Sequence, residues 1–161
     1  MSKQSSPEQV TRLRSQVAQA AADFGAAADA VDGAVATLFG VNRTDLRILG
    51  LVFAAGAMAA GPLAAAARLS PAATSTAIQR LVAAGHLSRA VDDRDRRRAV
   101  VTLTAKALDL LDRTYAPIAR AGRADLARYS ARDLALILDF LERGIRLQHA
   151  QADRIRTLAA D

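Results

Sequence analysis

Apolar side chains recur at a heptad spacing over the first forty residues. Two interleaved series of positions are apolar throughout: Val10, Val17, Phe24, Val31 and Leu38 in one, and Leu13, Ala20, Ala27 and Ala34 in the other. This spacing is typical of a helix that packs lengthwise along another helix. A Ser-Pro pair at 6–7 predicts the start of the helix, and Gly40 predicts its end. Gly25 and Gly33 each weaken the helix by about 1 kcal/mol relative to alanine, so a bend or an interruption is expected near them.

A second lengthwise stripe lies near the other end of the chain, in a helix that is predicted to begin after Ser130. Its apolar positions are Leu134, Leu138, Leu141, Ile145 and Ile155. Two such stripes favour an interface between two copies of the chain, formed by Val10, Leu13 and Val17 together with the five residues of the second stripe. The first stripe packing within one subunit remains the alternative.

The middle of the chain, residues 42–104, predicts a series of short elements. Asn42 is expected to cap a helix that ends at Gly56, with its buried face formed by Leu46, Leu49, Val52 and Phe53. A short strand is expected at 57–59, followed by a short helix with Leu63, Ala64 and Ala67 facing inward. The Ser70-Pro71 pair then predicts a helix that runs to about Ala84, with Thr74, Ala77, Ile78 and Leu81 on one face.

After that helix the apolar positions recur at every second residue, which is the spacing of a strand. Residues 86–91 alternate, and residues 98–103 are rich in valine and threonine, which predicts a hairpin with a charged tip between them. His86, at the start of the first strand, is expected to be structural. A further helix should begin at Thr104, with Leu108, Leu111, Tyr115 and Ile118 inward and a kink at Pro117.

Composition supports a mainly helical protein without a catalytic or metal centre. Alanine, the best helix former, supplies 39 of 161 residues, and only six residues are aromatic. The absence of cysteine excludes disulfides, thiolate metal sites and thiol redox sensing, and two histidines are too few for a histidine-rich metal centre. The sequence lacks the nucleophile-elbow, P-loop and dinucleotide-binding motifs. We therefore expect a protein that is not an enzyme and needs no cofactor.

The positive charge is concentrated in the middle of the chain. Residues 42–104 hold nine Arg and four Asp, a balance of +5, whereas the flanks hold thirteen Lys or Arg and twelve Asp or Glu, a balance of +1. A basic module between nearly neutral helices suits a polyanion, and double-stranded DNA is the expected partner. No apolar signal segment is visible, the most apolar stretch is interrupted by arginines and proline, and no membrane partner is expected. The predicted location is the cytoplasm.

Three segments of this middle region resemble the MarR family of bacterial transcriptional regulators. They are LSPAATSTAIQRL at 69–81, GHLSR at 85–89 and DRRRAVVTLT at 95–104. The most specific part is Asp95-x-Arg97-x-x-x-Val101-x-Leu103-Thr104, which is similar to the wing signature of that family. The resemblance implies a mainly α fold with a small β-hairpin wing: a winged helix-turn-helix flanked by long N- and C-terminal dimerisation helices. The corresponding segments are 1–41, 42–104 and 105–161.

The resemblance also implies positions for DNA contact. In the recognition helix these are Ser70, Ser75, Thr76, Gln79 and Arg80, and in the wing Arg94, Arg96, Arg97 and Arg98. Asp95 and Arg97 resemble the pair that shapes the wing, whose tip enters the minor groove in this family. Many members carry arginine where this chain has Thr76, so reading of guanine from that position is not expected here.

The implied function is that of a homodimeric repressor on a palindromic operator, released by a small apolar or aromatic effector. Phe39, Val52, Phe53 and Met58 are candidates to line the effector pocket, although packing of the core explains them equally well. The alternative is a ligand-independent or architectural DNA-binding protein with low sequence specificity.

Overall fold

The computed structural model describes residues 6–91 and 99–158. These residues divide into two compact units, one within 1–112 and the other within 113–161. The elements in this part of the chain are α1 (Pro7–Phe39), α2 (Arg43–Ala55), β1 (Ala57–Met58), α3 (Ala60–Ala67), α4 (Pro71–Ala83), β2 (Leu87–Val91), β3 (Ala99–Leu103), α5 (Ala105–Leu126) and α6 (Ala131–Leu158). This order confirms a mainly α fold with a small antiparallel sheet. The three-segment division proposed from the sequence stays a prediction.

The predicted ends of α1 are confirmed. The Ser6 hydroxyl accepts a hydrogen bond from the backbone N–H of Gln9 at 3.2 Å, and Gly40 closes the helix in the left-handed conformation with φ 65°. The helix continues through Gly25 and Gly33, so the expected interruption does not occur. A loss of about 1 kcal/mol at each glycine is spread over a 33-residue helix rich in alanine.

Helix α2 begins at its predicted cap, and three of its four predicted core residues are buried, namely Leu46, Leu49 and Val52. The Asn42 side chain accepts a hydrogen bond from the backbone N–H of Asp45 at 2.8 Å. The buried residues are Asp45, Leu46, Ile48, Leu49 and Val52. Phe53 is 57% exposed, so its predicted burial is wrong. A charged residue is rarely buried, so apolar spacing alone does not include Asp45 in the inward face, which is centred on positions 45, 48, 49 and 52.

The sheet has the strand order β1-β3-β2, with both pairs antiparallel. In β2 and β3, Leu87 lies opposite Leu103 and Val91 lies opposite Ala99, which confirms the predicted hairpin strands. The short β1 adds to the other side of β3, where Met58 pairs with Val101. The charged tip of the hairpin, residues 92–98, lies outside the described residues.

The core of the first unit lies where α2, α3 and α4 meet the sheet. Ile48, Leu49, Leu63 and Leu81 are fully buried there. His86 is also buried, and its Nε2 lies 2.9 Å from the Phe39 carbonyl oxygen while the two rings lie 5.5 Å apart. This contact joins the end of α1 to the base of the hairpin, in agreement with the structural role expected for this histidine.

Helices α5 and α6 bury less apolar surface than the sequence suggested. In α5 the buried residues are Ala107 and Leu111, whereas Leu108 and Ile118 are exposed and Tyr115 is half-buried, so the inward positions were predicted only in part. Pro117 lies within the helix. The α6 start is confirmed by reciprocal hydrogen bonds between Ser130 and Asp133.

Within residues 6–91 and 99–158, no single helix has the length and apolar character needed to cross a membrane. Only α1 and α2 taken together meet those two criteria, and the chain bends by 91° between them.

Candidate nucleic-acid interface

A tight turn between α3 and α4 sets the direction of the second helix. Arg68 closes α3 in the left-handed conformation, with φ 56° and ψ 46°. The backbone N–H groups of Arg68 and Leu69 then donate to carbonyl groups of the last turn of α3, at 3.2 and 3.0 Å. Ser70 caps α4 directly afterwards. The sequence predicted the turn, but nothing in it indicated a left-handed arginine where glycine is the usual residue.

Helix α4 has one buried face and one polar, accessible face. Its buried residues are Thr74, Ala77, Ile78 and Leu81, as the sequence predicted. The buried Thr74 hydroxyl donates to the Ser70 carbonyl oxygen at 3.0 Å, so burial leaves no unpaired hydroxyl. The accessible residues Ser75, Thr76, Gln79 and Arg80 lie in two adjacent rows, because residues four apart share a side of a helix.

Two hydroxyl groups of the predicted interface already take part in local structure. The Ser70 oxygen accepts the backbone N–H of Ala73 at 3.2 Å, which is the helix cap. The Thr76 hydroxyl donates to the Ala72 carbonyl oxygen at 3.0 Å, which leaves its oxygen able to accept a hydrogen bond. Thr76 therefore suits a donor on a base edge or a sugar better than it suits a phosphate oxygen.

Arg80 forms a bidentate ion pair with Asp45 of α2. Its Nε donates to Asp45 Oδ2 at 2.7 Å, and its Nη2 donates to Oδ1 at 2.6 Å. The two side chains differ in exposure, since that of Asp45 is 2% accessible and that of Arg80 is 48% accessible. The hydrogen bond to Asp45, reinforced by the charge of the carboxylate, raises the pKa of Arg80 above its ordinary value. The pair thus joins a charged guanidinium at the surface to the Asp45 carboxylate inside the protein.

Sequence reasoning missed this pair. Asp45 lies in the first turn of α2, where an acidic residue complements the helix dipole, and its place in the sequence indicates only that role. Its partner lies 35 residues away, and no spacing rule links the two positions. The only available signal was an aspartate at the centre of an otherwise apolar helical face, which requires a compensating charge nearby.

Several other arginines of the middle region are exposed. Arg47 of α2 and Arg89 of β2 lie at the surface, and Arg43 is paired with Asp29 of α1. The predicted wing residues Arg94, Asp95, Arg96, Arg97 and Arg98 lie outside the described residues.

The two predicted dimer stripes are largely accessible in the single chain. Leu13 and Val17 of α1 are about half exposed, and Val10 is half-buried. In α6 all five residues of the stripe are exposed: Leu134, Leu138, Leu141, Ile145 and Ile155. Uncovered apolar stripes of this length are unusual on a monomer and favour an interaction surface.

The predicted pocket residues occupy different environments. Phe39 and Val52 are buried in the core, Met58 is half-buried, and Phe53 is exposed. Packing therefore accounts for Phe39 and Val52. The described residues contain no group of three or more His, Asp or Glu side chains placed to hold a metal ion.

Comparisons with known proteins agree with this geometry. The sequence profile of the MarR family matches residues 39–98, from the last residue of α1 to the residue before β3. The chain is 31% identical over 125 residues to YcgE of Bacillus subtilis, an uncharacterized HTH-type transcriptional regulator, and the match covers 76% of this chain and 80% of YcgE.

Solved structures show the same fold at lower identity. YusO of Bacillus subtilis is 15% identical with a TM-score of 0.60, over 88% of this chain and 99% of YusO. MepR of S. aureus, solved as a complex with DNA, is 15% identical with a TM-score of 0.57, over 78% of this chain and 94% of MepR. The fold of this chain is thus one that solved structures share, including one determined with DNA bound.

Proposed function

Because this chain belongs to the MarR family of transcriptional regulators, we propose that it is a homodimeric repressor that binds a palindromic DNA operator. Regulators of this family are DNA-binding transcription factors and not enzymes. In this proposal α4 enters the major groove, the 92–97 wing reaches the minor groove, and a small apolar or aromatic ligand releases the protein from DNA.

The accessible face of α4 is the observation that carries the proposal. Ser75, Thr76 and Gln79 are exposed on a helix whose opposite face is fixed in the core by Ile78 and Leu81. A rigid helix with short polar side chains on one side fits the major groove, where each base pair presents a distinct set of donors and acceptors. Specificity then rests on α4, and Gln79 is the side chain best suited to an adenine.

Charge supports the same surface. The balance of +5 over residues 42–104 includes the exposed Arg47 and Arg89 on the elements beside α4. Arginines at these positions suit phosphate contacts, which give affinity for any sequence and a steep dependence on salt. In the wing, Arg94 and Arg96 are proposed to enter a narrow, A·T-rich minor groove, with Asp95 and Arg97 shaping the hairpin and Arg98 at its base.

The proposed dimer places two copies of α4 on one side of the duplex. Two half-sites about one helical turn apart require two recognition helices related by a twofold axis. The exposed stripes of α1 and α6 supply the apolar surface for such an interface. MepR, which has a similar fold, was solved in a complex with DNA, and this supports DNA as the partner.

Two variants separate base reading from phosphate contact. On a site selected from random DNA by the wild-type protein, Gln79→Ala should lower the ratio of specific to random affinity by about tenfold, because its contacts are to one base pair. Arg94→Ala should weaken binding to both DNAs. Fluorescence anisotropy at a fixed salt concentration measures the affinities of both variants for the two DNAs and so tests both expectations.

Gln16→Ala is the matched control, since Gln16 is an exposed glutamine of α1 away from α4. It should leave both affinities unchanged. An unchanged ratio in Gln79→Ala would contradict the assignment of this residue as a base reader, and unchanged affinities in Arg94→Ala would contradict the assignment of the wing.

The release by a ligand is tested separately. Met58 is half-buried and Phe53 is exposed, so two of the four proposed pocket residues leave apolar surface that the ring of an aromatic acid could contact. Binding should raise the melting temperature and lower the affinity for the operator. A series of aromatic carboxylic acids that changes neither quantity would favour the alternative, a DNA-binding protein that works without an effector.

A further inference from the structure

The Asp45–Arg80 pair is built asymmetrically. The carboxylate is inside the protein, and the guanidinium that neutralises it is half accessible on the polar, exposed face of α4. A pair formed only for stability would have no need of an arginine on that surface, because an apolar residue in place of Asp45 would fill the core at lower cost.

Both partners are held by the elements that carry them. The Asp45 backbone N–H is fixed by the Asn42 cap, and the next residue, Leu46, is buried. Arg80 precedes Leu81, which is fully buried. The two charge-assisted hydrogen bonds, at 2.7 and 2.6 Å, therefore fix the guanidinium between two anchored helices. Most of the rotamer freedom of this arginine is lost when the protein folds and not when DNA binds.

The pair uses only one edge of the guanidinium. Arginine has five N–H donors, and Asp45 accepts from Nε and from one N–H of Nη2. Three donors remain, two on Nη1 and one on Nη2, along the outer edge of the group. That edge still offers two parallel N–H groups, which is the arrangement that pairs with the O6 and N7 acceptors of guanine.

The charge of the pair favours a base over a phosphate. The Asp45 carboxylate cancels most of the attraction that Arg80 would exert on a phosphate, but it leaves the direction of the outer N–H groups unchanged. Arg80 also lies one turn after Thr76, on the same side of α4. A fixed fork of donors beside the predicted base-reading residues suits recognition of a neutral base edge.

We propose that Asp45 is a positioning residue that holds Arg80 so that its outer edge reads a guanine in the major groove. This inference rests on the proposed function, and it assigns the guanine contact to position 80 in a chain that has threonine at position 76.

The test compares wild type, Asp45→Asn and Arg80→Lys by selection from random DNA and by affinity for the selected site. Wild type should select a guanine in each half-site. Asp45→Asn keeps the shape of the side chain but frees the guanidinium. It should lower the preference for guanine over the other bases at that position about tenfold. It should also make the slope of log affinity against log salt concentration steeper, by up to the amount expected for about one phosphate contact. Arg80→Lys keeps the charge without the fork and should abolish the guanine preference.

Asp29→Asn is the control, because it removes a carboxylate from the exposed pair with Arg43. It should leave the guanine preference intact. Two outcomes would overturn the inference while the proposed function stands. In one, the site selected by wild type contains no guanine whose preference depends on Arg80. In the other, Asp45→Asn loses affinity equally for all sequences. If wild type selects no site at all, the proposed function and the guanine contact fail together. Because Arg80→Lys retains both charges, it also tests the proposal if Asp45→Asn does not fold.

Discussion

Asp45 and Arg80 show how one residue pair links stability to the recognition surface. A carboxylate that is 2% accessible is tolerated because two hydrogen bonds and a full positive charge compensate it. The free-energy cost of losing the partner is therefore unequal for the two residues. Arg80 without Asp45 can turn to water, whereas Asp45 without Arg80 is left as an unpaired charge in the core.

Melting temperatures should reveal this inequality. Arg80→Ala should lower the melting temperature by about 5 °C or more, and by more than Asp45→Asn does, because it leaves the buried carboxylate unpaired. The double variant Asp45→Asn/Arg80→Ala should melt above Arg80→Ala alone, since the buried group is then neutral. Arg43→Ala, which breaks the exposed pair with Asp29, should shift the melting temperature by about 2 °C or less. Equal shifts for Arg80→Ala and Arg43→Ala would contradict this account.

At the scale of the element, local signals predicted the helix starts well. Ser6, Asn42, Ser70 and Ser130 all accept the expected hydrogen bonds of a cap, because a cap depends on residues three positions apart. The buried side of a helix depends on distant partners. The face of α2 was therefore misplaced at Phe53, and the pairing of Asp45 with α4 was not predicted at all.

The uncovered stripes of α1 and α6 are the elements on which the proposed dimer depends. Val17→Glu places a charge within the α1 stripe, where burial against a second copy would leave it unpaired. We expect the mass in solution to fall from about twice the chain mass of 16.9 kDa to a single chain. Light scattering after size-exclusion chromatography measures this.

Gln16→Glu is the control for that variant, because it adds the same charge to the same helix one residue away from the stripe. It should remain dimeric at the same protein concentration. A wild-type protein with the mass of one chain, or a Val17→Glu variant that stays dimeric, would contradict the role of α1 in the interface.

For the whole molecule, composition and the order of patterns were sufficient to predict the architecture. The content of alanine indicated a helical protein, and the change of period at residue 86 located the hairpin. The base-contacting residues are harder to derive, because Ser75, Thr76 and Gln79 are ordinary surface residues until the helix that carries them is seen to be fixed in the core. Their assignment rests on the position of α4 and on the family.

The proposed function requires that the protein recognises one DNA sequence as a dimer. Selection from a random DNA library with the purified protein, followed by affinities for the enriched site and for scrambled DNA at two salt concentrations, tests it most directly. We expect a palindromic site bound at least about a thousandfold more tightly than scrambled DNA, with an affinity that falls steeply as salt rises. Equal, weak binding to both DNAs would contradict it and indicate an architectural protein.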